Sequence, residues 1–237
     1  MTTWHRIGLV FVAELIWVIP VGVRAGSPKL GREEGEFRIY AAGKEIGSER
    51  YVIMSSESAA SSNSVLDFRN PADRHQRVRL ETKLEMDGLY LPRSYELKSD
   101  VDGQKGIIKG IFAEGQVMFE YMAGEVPRKE GLLVGDHYTI LDTNLFHHFV
   151  FLARRFKYEA KAKEQRFEVV IPQEQQNGLL KISELGRENI TVRGKKIETH
   201  RLCVDSGSVK IYLWVDEKKI LHKISVPARQ IEVLRNP

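Results

Sequence analysis

The stretch "VRLETKLEMD", Val78–Asp87, alternates without a break. Val78, Leu80, Thr82, Leu84 and Met86 fall on one side, and Arg79, Glu81, Lys83, Glu85 and Asp87 on the other. Successive side chains of a strand point to opposite faces, so this reads as an antiparallel strand with one buried and one wet face. The same period of two recurs on both sides of it. "SVKIYLWVD" sets Val209, Ile211, Leu213 and Val215 together, with Tyr212 and Trp214 opposite, and "KKILHKISVP" sets Ile220, His222, Ile224 and Val226 together. "QRFEVVIP" aligns Phe167, Val169 and Ile171.

Turn signals separate these runs: "AAGKE", "MDGLY", "VDGQK", "AEGQ", "VRGKK", "DSGS" and "VDEKK". Asp-Gly and related pairs supply the positive φ that tight hairpins need. Strands recurring at such spacing predict an all-β, mainly antiparallel fold. We expect a curved half-barrel or barrel of about ten to twelve strands. Glycines inside strands (Gly47, Gly106, Gly110) mark bends or bulges. The small polar run "SSESAASSNS", Ser55–Ser64, reads as a mobile loop.

One segment breaks the period. In "LDTNLFHHFVFLARRF", Leu141–Phe156, the residues Leu145, Phe149, Leu152 and Phe156 recur at helical spacing. Asp142 or Thr143 can serve as N-cap, and Arg154, Arg155 and Lys157 suit the negative end. One amphipathic helix over about 142–156, packed against the sheet, is therefore expected. Neighbouring helical residues point about 100° apart, so His147 and His148 make poor joint metal ligands. His147 reads as a surface imidazole, His148 as half-buried, and Phe151 as lying on the polar side.

The composition is globular: 42% hydrophobic and 29% charged residues, with Lys+Arg 36 against Asp+Glu 32 and a formal charge of +4. Charges of both signs are interspersed, so nucleic-acid binding is not expected. The start, "MTTWHR" followed by the apolar "IGLVFVAELIWVIPVGV" and "VRA", reads as a secretory signal cleaved after Ala25. Glu14 inside the apolar run would cost about 2.5–3.5 kcal/mol near the centre of a bilayer, which disfavours the alternative of an uncleaved inner-membrane anchor. Export to the periplasm follows, with residues 26–35 as a disordered leader and 36–237 as a single domain. Cys203 is the only cysteine, which excludes an internal disulfide and a cysteine-based zinc site.

No catalytic motif emerges. Gly-x-Ser-x-Gly is absent, "AAGKEIGSE" lacks the glycine a phosphate loop requires, and the paired carboxylates sit on wet strand faces. No catalytic residue, metal or cofactor is expected. His222, between Ile220 and Ile224, could supply a polar group to an apolar cavity lined by Tyr212, Trp214, Phe149 and Phe156. The basic run "RRFKYEAKAK" offers Arg154, Arg155, Lys157, Lys161 and Lys163 to an anionic membrane surface, each such cation being worth about 1 kcal/mol there.

Four segments in order, "FRIYAAGKEIGSERYVI", "LYLPRSYEL", "ILDTNLFHHFVFLARRF" and "VKIYLWVDEKKILHKISVP", carry a resemblance. The chain resembles uncharacterised bacterial exported proteins of the domain-of-unknown-function 3108 type. Its closing hairpin is also similar to that of the Lol-type lipoprotein carriers. The second likeness implies a curved antiparallel sheet, lidded by helix, that shelters acyl chains. The sequence departs from those carriers in showing no evident N-terminal helix pattern, and no residue roles carry over. The leading expectation is an exported envelope protein that binds or carries an apolar or lipid-like ligand without catalysis. The alternatives are an envelope hydrolase acting on glycan or lipid, and a scaffold or assembly accessory.

Overall fold

The computed structural model describes residues 31–236 apart from 71, 72, 74, 125, 159, 161–163 and 193. The expected signal over 1–25 and residues 26–30 of the expected leader lie outside the described residues.

Fifteen strands form one sheet. They are β1 Gly31–Ala41, β2 Lys44–Ser55, β3 Ala59–Arg69, β4 Arg77–Asp87, β5 Pro92–Val101, β6 Gln104–Ala113, β7 Gln116–Met122, β8 Arg128–Leu133 and β9 Tyr138–Ile140. After helix α1, His148–Arg155, come β10 Glu164–Ile171, β11 Gln176–Val192, β12 Lys195–Asp205, β13 Lys210–Val215, β14 Leu221–Val226 and β15 Ile231–Asn236. The order runs from β8 down to β1, crosses to β15, and runs down to β9. Two meanders thus meet at the β1–β15 pair. Every pairing is antiparallel except the short parallel contact of β9 with β10. Among the described residues no backbone ladder joins β8 to β9, so the sheet curls but does not close.

Side chains and loops bridge the open seam. Tyr121 donates to the Pro172 carbonyl at 2.9 Å, Asn177 Nδ2 donates to the Leu133 carbonyl at 2.6 Å, and the Gly135 N–H donates to Glu168 Oε2 at 2.8 Å.

The decisive stretch behaves as read: Leu80, Thr82, Leu84 and Met86 are buried on β4. The turns also follow the chemistry expected of them, with Asp102 and Gly103 at φ 52° and 88° in the β5–β6 hairpin. At Gly47 a Cβ would lie 2.2 Å from the Asp67 carbonyl oxygen, so the β2–β3 approach requires glycine. The adjacent β1–β2 register shift is a bulge.

Several expectations need correction. Fifteen strands replace ten to twelve, partly because the expected serine-rich loop is mostly strand β3. Its inward serines are buried yet bonded: Ser64 meets Thr82 across β3–β4 at 2.8 Å. Gly31–Gly35 of the expected leader belongs to β1. The helix is shorter than 142–156, spanning His148–Arg155, and neither Asp142 nor Thr143 caps it. It is not amphipathic in its setting, since every residue from His148 to Ala153 is buried, Phe151 included. Both histidines are fully buried as well.

The outer face explains the solvated exterior. Register brings Lys83, Glu96, Lys109, Glu120 and Lys129 side by side across β4–β8. Asp67, Arg79, Asp100 and Lys105 make a second such row across β3–β6. A membrane barrel presents an apolar band outward instead. Ile111 and Met118, cross-strand neighbours, are exposed apolar exceptions. Among the described residues no helix is long and apolar enough to cross a membrane.

Candidate functional site

Helix α1 lies inside the curl. It starts between β2, β3 and β5 and ends beside β1 and the β13–β14 turn. At the start, Tyr51 of β2 stacks on His147 and Tyr95 of β5 meets His148 edge-on, with ring centroids 6.1 and 6.0 Å apart. At the end, Arg154 pairs with Glu33 of β1, and Lys219 donates to the Arg154 carbonyl at 3.1 Å.

The start is a buried polar cluster. Glu49 of β2 is fully buried and accepts three hydrogen bonds. Its Oε2 takes the N–H groups of Phe146 and His147 at 2.8 and 3.0 Å, and its Oε1 takes His147 Nδ1–H at 2.5 Å. Helix N-termini leave backbone N–H groups unpaired. Here the turn before α1 meets two of them, Phe149 N–H bonding the Phe146 carbonyl and Val150 N–H the His147 carbonyl, and Glu49, 98 residues from His147, holds that turn in place.

Asp142 has other work. Its Oδ2 accepts the Tyr95 hydroxyl at 2.7 Å, and its Oδ1 accepts the N–H groups of Thr143 and Gln173, each at 2.9 Å. The carboxylate therefore ties β5 to the Pro172–Glu174 turn across the open seam. Burial pushes its pKa above the usual carboxylate range, against the pull of those hydrogen bonds. Burial also drives the Tyr95 phenol well above its ordinary value, so it stays a donor.

The histidines are fixed in tautomer by their neighbours. The Asp142 N–H donates to His148 Nδ1 at 3.1 Å, so the proton of a neutral ring sits on Nε2. Among the described residues that Nε2 has no partner. Burial, and then the neighbouring His147, hold the His148 pKa well below the ordinary imidazole value. The two rings stand 4.4 Å apart, and among the described residues no group of histidine, cysteine and carboxylate side chains could hold a metal.

Serine, histidine and glutamate also stand in line. Ser62 Oγ lies 3.5 Å from His147 Nε2, whose other nitrogen meets Glu49. The order matches a nucleophilic relay, but Ser62 is 1% exposed and His147 and Glu49 are sealed completely. His147 rides on the segment that fills the interior.

The five residues expected to line a cavity are not brought together. Phe149 and Phe156 are buried with the helix inside the curl. Tyr212 and Trp214 point outward, where the Arg201 guanidinium lies over both rings at 4.9 and 5.4 Å and Glu188 accepts Trp214 Nε1–H. A bulge on β14 opposite Trp214 and Val215 takes His222 out of register and puts Leu221 inward instead. His222 Nε2 meets Asp216 at 3.0 Å and lines an outer hollow of about 450 Å³ with Arg38, Tyr40 and Ile190. A second hollow, of about 590 Å³, is lined chiefly by outward residues of β1–β3.

Of the basic run, Arg154 faces Glu33 and Tyr90, and Arg155 donates to the Tyr138 carbonyl at 2.5 Å over the Phe167 ring. Lys157 is exposed, while Lys161 and Lys163 lie outside the described residues.

Sequence reading missed Glu49, Asp142 and Tyr95 as site residues. Period-two alternation held the signal for Glu49: it shares a face with Tyr51 and Ile53. A charge on an inward face needs a buried partner.

No protein-family model matches the chain, and no curated protein matches it in sequence. Solved structures do resemble it in fold. A β-barrel-like protein of domain of unknown function 1849 from Brucella abortus shares 12% identity at TM-score 0.59, covering 86% of this chain and 94% of that one. A protein of the DUF1089 family from Pseudomonas aeruginosa also shares 12% identity, at TM-score 0.48, over 76% of this chain and 90% of that one. The first likeness supports a β-barrel-like domain and nothing more specific.

Proposed function

We propose that the protein binds or carries an apolar or lipid-like ligand in the cell envelope without catalysis, and that helix α1 occupies the ligand's place in the closed form. The observation that carries this reading is how the interior is filled. Small barrels of about eight strands fill their lumen with wall side chains. This fifteen-stranded sheet is filled instead by a separate segment, tethered through the three-residue strand β9 and clamped by polar side chains at both ends. Such a filler can exchange for a ligand without dismantling the wall.

The exchange sets the ligand's size. Phe149, Val150, Phe151, Leu152 and Phe156 are buried, and each such side chain is worth about 1.5–3 kcal/mol. At about 0.8 kcal/mol per methylene, an apolar chain on the order of a dozen methylenes replaces them. Small polar metabolites do not. The sealed Ser62–His147–Glu49 line supports the non-catalytic side of the reading.

Envelope location rests on the signal-like character of residues 1–25, which N-terminal sequencing of the exported protein checks directly. The ligand reading is tested by native mass spectrometry and solvent extraction of protein purified from its own envelope. A co-purifying amphiphile with a long apolar chain is expected. Protein that is consistently free of any amphiphile ends the proposal.

A further inference from the structure

The wall that helix α1 covers is not uniform. Toward the end of the helix, beyond Glu33, which Arg235 and the Tyr51 hydroxyl still hold without the helix, the inward residues of β1 and β13–β15 are apolar: Phe37, Ile39, Leu213, Leu221, Ile224 and Val233 are all buried. Toward its start, β2–β5 turn Glu49, Ser62, Ser64, Thr82 and Tyr95 inward, and these are buried too.

Most of the polar groups are matched without the helix or can be. Ser64 and Thr82 bond each other. Tyr95 would lose Asp142, which belongs to the segment between β9 and α1, but a phenol can donate to any acceptor. Glu49 is different. All three of its hydrogen bonds come from Phe146 and His147 of the filling segment, and an ionised carboxylate has only acceptor sites. When the segment leaves, the wall keeps a carboxylate at the end of an apolar trough. A buried carboxylate without partners is strongly disfavoured, so whatever enters must bring donors to that place.

Resting on the carrier reading, we infer that the ligand is an amine-headed amphiphile: a long apolar chain along β1 and β13–β15, with an ammonium or comparable cluster of N–H donors seated on Glu49. The segment itself is the template, presenting two backbone N–H groups and one imidazole N–H at the head of a phenylalanine-rich shaft. An ammonium group offers three donors and a positive charge at one point, matching the three bonds that Glu49 accepts. A carboxylate or sulfate head places like charge against Glu49 and is excluded.

The test compares three probes of one chain length, dodecylammonium, dodecanol and dodecanoate, below their aggregation concentrations, by isothermal titration at neutral pH. Dodecylammonium is expected to bind at least about tenfold more tightly than dodecanoate, a ratio worth about 1.4 kcal/mol. Surface attraction alone predicts the opposite order, because the chain carries a formal charge of +4. Glu49→Gln is expected to bring the ratio to within about twofold. Because that substitution can impair folding, a photoreactive dodecylamine is also cross-linked to the unaltered protein. Labelling of the inward residues Ser62, Ser64, Thr82 or Tyr95 supports the assignment, and labelling confined to outward residues of the hollows, such as Arg50, Val52, Asn63 and Val65, overturns it. Equal binding of all three probes, or preference for dodecanoate, overturns the amine head and leaves the carrier reading standing. Binding of none of them removes the carrier reading itself.

Discussion

At its start helix α1 is tied to β2 by Glu49, which has no contact with solvent; at its end Arg154 is tied to β1 by Glu33, whose side chain keeps 16% of its surface. Both ties use a carboxylate that accepts three donors. Glu33 takes Arg154, Arg235 and the Tyr51 hydroxyl. The donors differ in what becomes of them when the tie breaks. Arg154 and Arg235 can swing into water, whereas the N–H groups of Phe146 and His147 are fixed in the backbone of a buried turn. The start of the helix is therefore the stronger lock and the end the more readily released, so exchange with a ligand is expected to begin at Arg154.

Glu49→Ala should have the largest effect. It strands two backbone N–H groups and an imidazole N–H in the interior, and each buried donor left unpaired costs about 1–3 kcal/mol. Urea denaturation followed by tryptophan fluorescence measures this. A loss below about 1 kcal/mol would mean that the start is not the stronger lock.

The same end should make stability depend on pH. The His148 pKa in the folded protein lies well below its ordinary value of about 6.5, so the unfolded chain binds a proton that the folded one refuses. The stabilisation is complete above about pH 6.5 and is lost as pH falls toward the folded value. Asp142 acts in the opposite sense, because its raised pKa contributes stability that is full below the ordinary value of 3.8 and is lost as pH rises through the folded value. The urea midpoint should therefore drop between about pH 7 and about pH 5. His148→Asn keeps an acceptor for the Asp142 N–H but cannot titrate, and its midpoint should be flatter over that range. An equal slope in the variant would assign the proton uptake elsewhere.

These groups also show what could and could not be read in advance. The sheet was legible because alternation is local: Val78–Asp87 declares its faces without knowledge of any neighbour. The helix was legible as a stripe, Leu145–Phe149–Leu152–Phe156, but its surroundings were not. Helical periodicity sorts residues relative to an axis and assumes water on one side. A helix enclosed by a sheet has no wet side, so His147 and Phe151 fall on a polar face in projection and in the core in fact. The serine run misled for the converse reason. Small polar side chains usually mark loops, whereas Ser62 and Ser64 line β3 where the enclosed segment is polar. Glu49 could have been flagged as a charge on an inward face, but its partners sit 98 residues away, beyond any local pattern.

Arg154→Ala tests the other end. It removes the Glu33 pair and the bond to the Tyr90 hydroxyl at 3.1 Å. Because both partners are partly solvated, about 1–2 kcal/mol is expected. The comparison sharpens with salt. In about 1 M salt, where screening reaches about 3 Å, the gap between Arg154→Ala and the unaltered protein should narrow while that of Glu49→Ala holds. If both losses respond alike, the two ends do not differ in burial as described. The variant should also bind a twelve-carbon amphiphile more readily, since it loosens the end from which exchange starts.

The smallest effect belongs to the outer face. Glu96 lies between Lys83 and Lys109 in the alternating row, with Lys98 Nζ at 3.3 Å. Glu96→Lys sets like charges side by side across two strand pairs, a cost of about 0.2–1 kcal/mol at a solvated surface, and salt should erase most of it. This variant is the control for both helix ends: it changes charge by two units, more than either of them, without touching the interior. A loss of several kcal/mol, unaffected by salt, would mean that the outer face of β4–β8 is not in water. The row of charges would then be matched to a partner's surface, and the scaffold reading would displace the carrier reading, because the wall rather than the lumen would be the part that binds.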